Sequence, residues 1–192
     1  MTRRVLVPVK AFRDAKLRLA PVLRPSAREA LVRQMAEQVL RAARSLPVSV
    51  VCDDPEVRDW AEAHGATVLW CPGRGLNGAV SDGVESLGDA GATEVIVAHA
   101  DLPLADDLDR AAGFEGITLV PDRHDDGTNV MCLPARCGFR FAYGPASFRR
   151  HRAEATLLGL AVRVLVDRRL GWDVDVPDDL VLPSELEPTP SA

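Results

Sequence analysis

The chain contains no glycine-rich phosphate loop of either common kind. Gly-x-x-x-x-Gly-Lys-Ser/Thr does not occur, which argues against a P-loop NTPase. No Gly-x-Gly-x-x-Gly follows the first strand-like segment, which argues against a dinucleotide site of the usual form. Cysteine is sparse: Cys52, Cys71, Cys132 and Cys137 include no Cys-x-x-Cys pair, so free thiols are expected rather than zinc ligands or a disulfide framework. Excess basic charge is missing as well. With 23 Lys and Arg against 28 Asp and Glu, the net charge of −5 has the wrong sign for a general nucleic-acid binder. No apolar run approaches a membrane span, and Met1-Thr2-Arg3-Arg4 leads directly into an apolar strand without room for a signal peptide. The expected partners therefore include no nucleic acid and no membrane, and the expected location is cytoplasmic. The remaining composition is that of a globular protein: 192 residues, 47% apolar and 27% charged. One domain is expected over residues 1–182, followed by a flexible tail, 183–192, rich in Pro, Ser and Glu.

Strand-like and helix-like segments alternate along the chain. Val5-Leu6-Val7-Pro8-Val9 reads as a strand, followed by a long loop over residues 10–25. Ser26-Ala27-Arg28-Glu29 has the spacing of a capping box, and behind it Leu31, Met35, Val39, Ala42 and Leu46 keep one helical face apolar. Residues 48–52 form a second strand, Asp54-Pro55 an N-cap with proline at the first helical position, and residues 66–70 a third strand. A helix is predicted over 76–87 and another over 148–158, with further strands at 116–120, 130–133 and 161–166. Strands and helices alternating at this spacing predict βαβ units, a mostly parallel sheet and an α/β fold.

The chain is organised around Thr93-Glu94-Val95-Ile96-Val97-Ala98-His99-Ala100-Asp101-Leu102-Pro103-Leu104, an apolar strand that closes on an acid and a proline. Ligands of open α/β sheets bind beyond the carboxyl ends of the strands, so Asp101 is either a carboxylate delivered to that place or a cap for a helix near Pro103. The loop after the first strand carries Lys10, Arg13, Lys16 and Arg18, which suits a polyphosphate or, equally, a solvated surface. Asp173 and Asp175 alternate along an extended segment, so one of them is expected to meet Asp101 and form a Mg²⁺ site; the alternative is a cap for a C-terminal helix at Pro177. Gly144-Pro145-Ala146-Ser147 opens a helix that begins Phe148-Arg149-Arg150, an anion site or a plain N-cap at Ser147. Thr128 and Asn129 offer further donors. His99, His124 and His151 have no metal-ligand spacing.

Taken in order, Lys16-x-Arg18-Leu19, Gly75-Leu76-Asn77, Ala100-Asp101-Leu102-Pro103, Gly127-Thr128-Asn129, Phe141-x-Tyr143-Gly144-x-x-Ser147-Phe148 and Asp173-x-Asp175-x-Pro177-x-Asp179-Leu180 resemble the guanylyltransferases of deazaflavin coenzyme F-420 biosynthesis. The resemblance implies a Rossmann-like three-layer α/β/α sandwich, the glycosyltransferase-A-like nucleotidyltransferase fold. It implies transfer of GMP from GTP to phosphoenolpyruvate or 2-phospho-L-lactate with release of pyrophosphate. By position, Asp101, Asp173 and Asp175 resemble the Mg²⁺ ligands, and Lys10, Lys16 and Arg18 the triphosphate contacts, with Lys16, Arg18 and Asp101 as the catalytic set. Leu76 and Asn77 resemble the nucleoside side, and Thr128, Gly144 and Ser147 the cradle for the phosphorylated acid. An Arg- and Ala-rich composition, a bacterial habit, favours phosphoenolpyruvate. Asp125 and Asp126 depart from the small residues common before Gly127-Thr128, and two negative charges fit poorly beside an anionic acid. A related nucleotidyltransferase loading molybdopterin or a sugar phosphate, or a non-catalytic nucleotide-binding module, would share many of these features. A homo-oligomer is left open.

Overall fold

Apolar residues of β1 (Arg3–Pro8) alternate between two cores. Val5 and Val7 face one, Leu6 faces the other, and all three are fully buried. The pattern repeats in β4 (Glu94–Ala98), with Ile96 and Ala98 in the first core and Val95 and Val97 in the second. A sheet apolar on both faces needs a helical layer on each. In the computed structural model, which describes residues 2–182 and Leu186, α1 (Pro25–Ala42) and α2 (Pro55–Ala63) cover the first face. The second face is covered by α3 (Gly75–Asp89) and α4 (Ser147–Leu157). Apart from Leu186, the expected tail lies outside the described residues.

The sheet is completed by β2 (Val48–Cys52), β3 (Thr67–Trp70), β5 (Ile117–Pro121), β6 (Thr128–Pro134) and β7 (Val162–Val164), in the order β3-β2-β1-β4-β6-β5-β7. All pairings are parallel except those of β6, which runs antiparallel to both β4 and β5. The predicted three-layer α/β/α sandwich is therefore the observed fold. β1 passes to β2 on one side and pairs with β4 on the other, with Val5 opposite both Val48 and Ile96. Strand order reverses at this point, which opens a crevice above the carboxyl ends of β1 and β4.

Local signals set the helix starts with mixed success. Asp54 caps α2 as expected, accepting from the N–H groups of Glu56 and Val57 at 3.0 and 3.2 Å, while Arg13 Nη1 holds its other oxygen at 2.7 Å. The capping box at Ser26 does not form. Pro25 occupies the first turn of α1, its fixed φ making the chain helical before the serine, and the N-cap is Arg24 without a side-chain bond. The buried stripe of α1 then runs Arg28, Val32, Met35, Ala36, Val39 and Ala42, with Leu31 only partly buried at its margin. No helix starts near Pro103; the next helical turn is a short 3₁₀ segment, Leu108–Ala111, capped by Asp107. Asp101 is thus no helix cap.

Candidate active site

The basic loop and the carboxylate at the end of β4 meet at the switch point. Lys16 adopts the left-handed conformation at φ 54° and turns its side chain inward, leaving it 11% exposed. Its Nζ lies 2.5 Å from Asp101 Oδ2 and 2.7 Å from Asp175 Oδ1. Carboxylates separated by more than 70 residues thus sit within one hydrogen-bond length of the same nitrogen. Burial opposes charge on both Asp101 and Lys16, but each outweighs that effect on the other. Lys16 holds the Asp101 carboxyl below its usual range, and Asp101 with Asp175 raises the lysine.

The segment bearing Asp173 and Asp175 is shaped by an acid the sequence reading did not single out. Asp179, 2% exposed, accepts from the N–H groups of Asp175 and Val176 at 2.6 and 2.8 Å, and its second oxygen receives Arg123. Arg123 also donates to the Asp173 carbonyl at 3.0 Å and stacks over the Trp172 ring at 4.4 Å. The turn at Pro177 is therefore capped from its third position, and neither Asp175 nor Asp178 serves as the cap. Gly171 lets the segment pass closely: a Cβ there would lie 2.8 Å from the Asp167 carbonyl and 3.1 Å from that of Pro121. Val174 N–H donates to the Asp101 carbonyl at 3.3 Å, which docks the segment on the end of β4. As expected, the two acids diverge. Asp175 reaches Lys16, whereas Asp173 turns toward Asn129 Nδ2 at 3.5 Å. Burial, followed by the nearby Asp101 and Asp175 charges, raises the Asp173 carboxyl to about 6.

A second group of residues gathers at the start of α4, on the other face of the sheet. Ser147 is the first helical residue, not the cap; that position belongs to Ala146, in the left-handed conformation at φ 57°. Asp126 satisfies the helix start instead. Its carboxylate accepts from Ala146 N–H at 3.1 Å, and its carbonyl accepts from Phe148 N–H at 3.0 Å. One of the two unexpected acids is thereby accounted for: its charge meets the positive end of the helix dipole. Thr128 and Ser147 are both 2% exposed, and Gly144 lies at φ 116°. His151, fully buried, accepts from Ala142 N–H through Nε2 at 3.0 Å, so its Nδ1 carries the proton and donates to Thr128 Oγ1 at 3.0 Å. It is a satisfied core histidine that also orients a cradle hydroxyl. Asn77 uses both amide atoms on the Tyr143 backbone, accepting from N–H at 2.6 Å and donating to C=O at 3.4 Å, and so ties α3 to the cradle. Leu76 packs on the second core beside it. Lys10 and Arg18 are exposed.

Among the described residues, no group of three His, Cys, Asp or Glu side chains stands ready to hold a metal ion. The Asp101, Asp173 and Asp175 arrangement is nonetheless compatible with Mg²⁺, which needs only one or two carboxylates when phosphate oxygens and water complete its shell. Two hard-oxygen acids share one ammonium, Asp173 is close enough to both to feel their charge, and Asp101 Oδ1 is buried without a hydrogen-bond partner. His99 Nε2, just before it, is likewise unpartnered, with its ring 4.8 Å from that of Tyr143.

Residues 3–183 match the protein family described as "Guanylyl transferase CofC like". The chain is 40% identical over 189 residues to a phosphoenolpyruvate guanylyltransferase of Sphaerobacter thermophilus, covering 94% of this chain and 91% of the relative. It is 34% identical to a 2-phospho-L-lactate guanylyltransferase of Methanothermobacter thermautotrophicus, covering 91% and 81%. A Desulfovibrio desulfuricans structure assigned as a nucleotide-diphospho-sugar transferase superposes with a TM-score of 0.73, covering 93% of this chain and 84% of that one. At 18% identity, that last likeness speaks to fold alone.

Burial, with His99 and Arg150 nearby, lowers His151 from 6.5 to about 4. The folded protein therefore binds that proton less readily than the unfolded chain. The stabilising contribution is complete above pH 6.5 and is lost as pH falls toward 4. Urea unfolding should show wild type losing about 2 kcal/mol between pH 7 and 5 from this group. In His151→Gln that component of the pH dependence should disappear, although the variant is less stable at pH 7.

Proposed function

The chain belongs to the CofC-like guanylyl transferase family, and on that premise we propose that it transfers GMP from GTP to phosphoenolpyruvate in coenzyme F-420 biosynthesis. The products are pyrophosphate and enolpyruvoyl-2-diphospho-5'-guanosine. With 2-phospho-L-lactate as the second reading of the acceptor, the product is lactyl-2-diphospho-5'-guanosine. The observation that carries the reading is the Lys16 ammonium held between Asp101 and Asp175 above the switch point. The greater identity to the phosphoenolpyruvate enzyme than to the phospholactate enzyme supports the first acceptor. No helix among the described residues is long and apolar enough to cross a membrane. Substrates of this kind are drawn from the cytoplasm, which is where we place the protein.

The chemistry needs no protein nucleophile. A phosphate oxygen of the acid attacks the α-phosphorus of GTP, the bond from that phosphorus to the bridging oxygen breaks, and pyrophosphate leaves with the electron pair. Positioning and neutralisation of charge carry such a reaction. Asp101 and Asp175 would hold Mg²⁺, with Asp173 behind them, and the bound ion supplies charge neutralisation at the phosphates. Lys10, Lys16 and Arg18 bind the triphosphate, with Lys16 turning from the carboxylates toward it. Thr128, Gly144 and Ser147 receive the acid, Thr128 being oriented by His151. Because Asp126 takes the Ala146 N–H, the acid's carboxylate is left to the two hydroxyls and the turn at Gly144.

Supplying purified enzyme with GTP, Mg²⁺ and each acid in turn should release pyrophosphate most efficiently with phosphoenolpyruvate, and mass spectrometry should identify the guanylylated product. Pyrophosphate release with neither acid would refute the assignment if it occurred with a sugar phosphate or molybdopterin instead. Asp101→Asn should fold normally yet lose on the order of 10²-fold or more in kcat/KM. Near-normal turnover in that variant would remove Asp101 from the metal site. Ser147→Ala should raise KM for the acid roughly fivefold while leaving KM for GTP within about twofold, since it touches one substrate only. Equal changes for both substrates would contradict its place in the acid cradle.

A further inference from the structure

One buried charge has no role in the site as described above. Arg28 lies in the opening turn of α1 and is only 7% exposed. Its Nε and Nη1 are sequestered without a hydrogen-bond partner, and no ion pair ties it to another described residue. Lys16, the other inward-turned cation, has two carboxylates. A buried cation lacking a counter-charge destabilises the protein that carries it, so Arg28 calls for an anionic partner at some point in the working cycle.

Topology fixes where that interaction lies. α1 follows β1 and runs back along it, so its opening turn stands level with the carboxyl ends of the strands. Arg28 begins the sheet-facing stripe that continues through Val32, Met35 and Val39. The same core contains Leu19 of the basic loop, Leu102 beside Asp101, and Val174 between Asp173 and Asp175. The acid cradle is on the opposite face, where Tyr143 and Phe148 belong to the second core. Arg28 thus shares a layer with the residues assigned to triphosphate and metal, and the sheet separates it from the acid.

We propose that Arg28 is a further phosphate-contacting residue, placed for the β- and γ-phosphates of the nucleotide that depart as pyrophosphate. A guanidinium fork can engage two phosphate oxygens at once, a geometry the Lys16 ammonium lacks. The proposal rests on the guanylyl-transfer reading and adds a residue that lies outside the motifs carrying the family resemblance.

The test compares Arg28→Met and Arg28→Lys with wild type, using inorganic pyrophosphate as the probe in titration calorimetry, melting curves without ligand, and steady-state kinetics. Arg28→Met should bind pyrophosphate about tenfold more weakly, the size of one charge-assisted contact, with KM for phosphoenolpyruvate unchanged. Without pyrophosphate it should melt at or above the wild-type temperature, because an apolar chain of similar length replaces an unpaired buried charge. Arg28→Lys should fall between the two in affinity. Wild-type affinity in Arg28→Met overturns the proposal. So does a loss of affinity accompanied by a fall in melting temperature in both variants, the signature of a structural arginine. A wild-type protein that binds no pyrophosphate overturns the guanylyl-transfer reading and this proposal with it.

Discussion

Like charges crowded at the end of a parallel sheet are the constraint around which this molecule is built. Asp101 arrives on the central strand, Asp175 on a segment docked from far along the chain, and Asp173 beside it. Carboxylates brought together in a partly buried crevice repel one another, and Lys16 offsets that repulsion by bonding both Asp101 and Asp175. The left-handed backbone at Lys16 is part of that arrangement: a non-glycine residue at φ 54° is held there by what its side chain reaches. A triphosphate with its divalent ion presents the same alternation of charge, negative against positive against negative. On the proposed function, the arrangement of Asp101, Lys16 and Asp175 would match that charge pattern.

The supporting residues divide into those that carry charge to the crevice and those that hold the carriers still. Asp179 shapes the turn that aims Asp175, and Arg123 clamps it from outside by bonding both Asp179 and the Asp173 backbone. On the other face, His151 fixes Thr128 and Asn77 fixes the Tyr143 backbone, so the cradle borrows its rigidity from α4 and α3. Of these supports Asp179 and His151 are buried, and each has its polar atoms satisfied inside the protein, which is the condition for keeping such a group buried without loss of stability.

How much of this was legible in the sequence depended on how far the decisive partner lies along the chain. Asp54-Pro55 announced its helix because cap and donors are neighbours, and β4 announced itself by five consecutive buried residues. Asp101 was readable as a strand-end acid because Pro103 follows directly. Ser26 misled because Pro25, one residue earlier, already commits the chain to helix. Asp126, Asp179 and His151 were not legible in their roles. Asp126 caps a helix 20 residues away, Asp179 receives an arginine 56 residues away, and His151 bonds a threonine 23 residues away. No periodicity or spacing rule relates such positions, and only folding brings them together. Asn77 sat in a recognisable motif, but its attachment to Tyr143 depends on packing between α3 and the cradle.

The sheet itself separates the two groups of candidate site residues. The basic loop, α1 and the segment bearing Asp173 and Asp175 pack into the core on one face, while α3, α4 and the Gly144 turn pack into the core on the other. Along β1 and β4, residues 5–7 and 95–98 alternate between one core and the other. On the proposed function, a substitution near α4 would act on the acceptor's surroundings, whereas a change at Lys16 or Asp101 would act at the carboxylate cluster. Asp126 illustrates the first kind. It brings a negative charge to the edge of the acid cradle, yet that charge is absorbed by the N-terminus of α4 and does not reach the carboxylate cluster. On the proposed function, such a partition would let acceptor choice be tuned on one face while the Asp101, Lys16 and Asp175 charges stay fixed on the other.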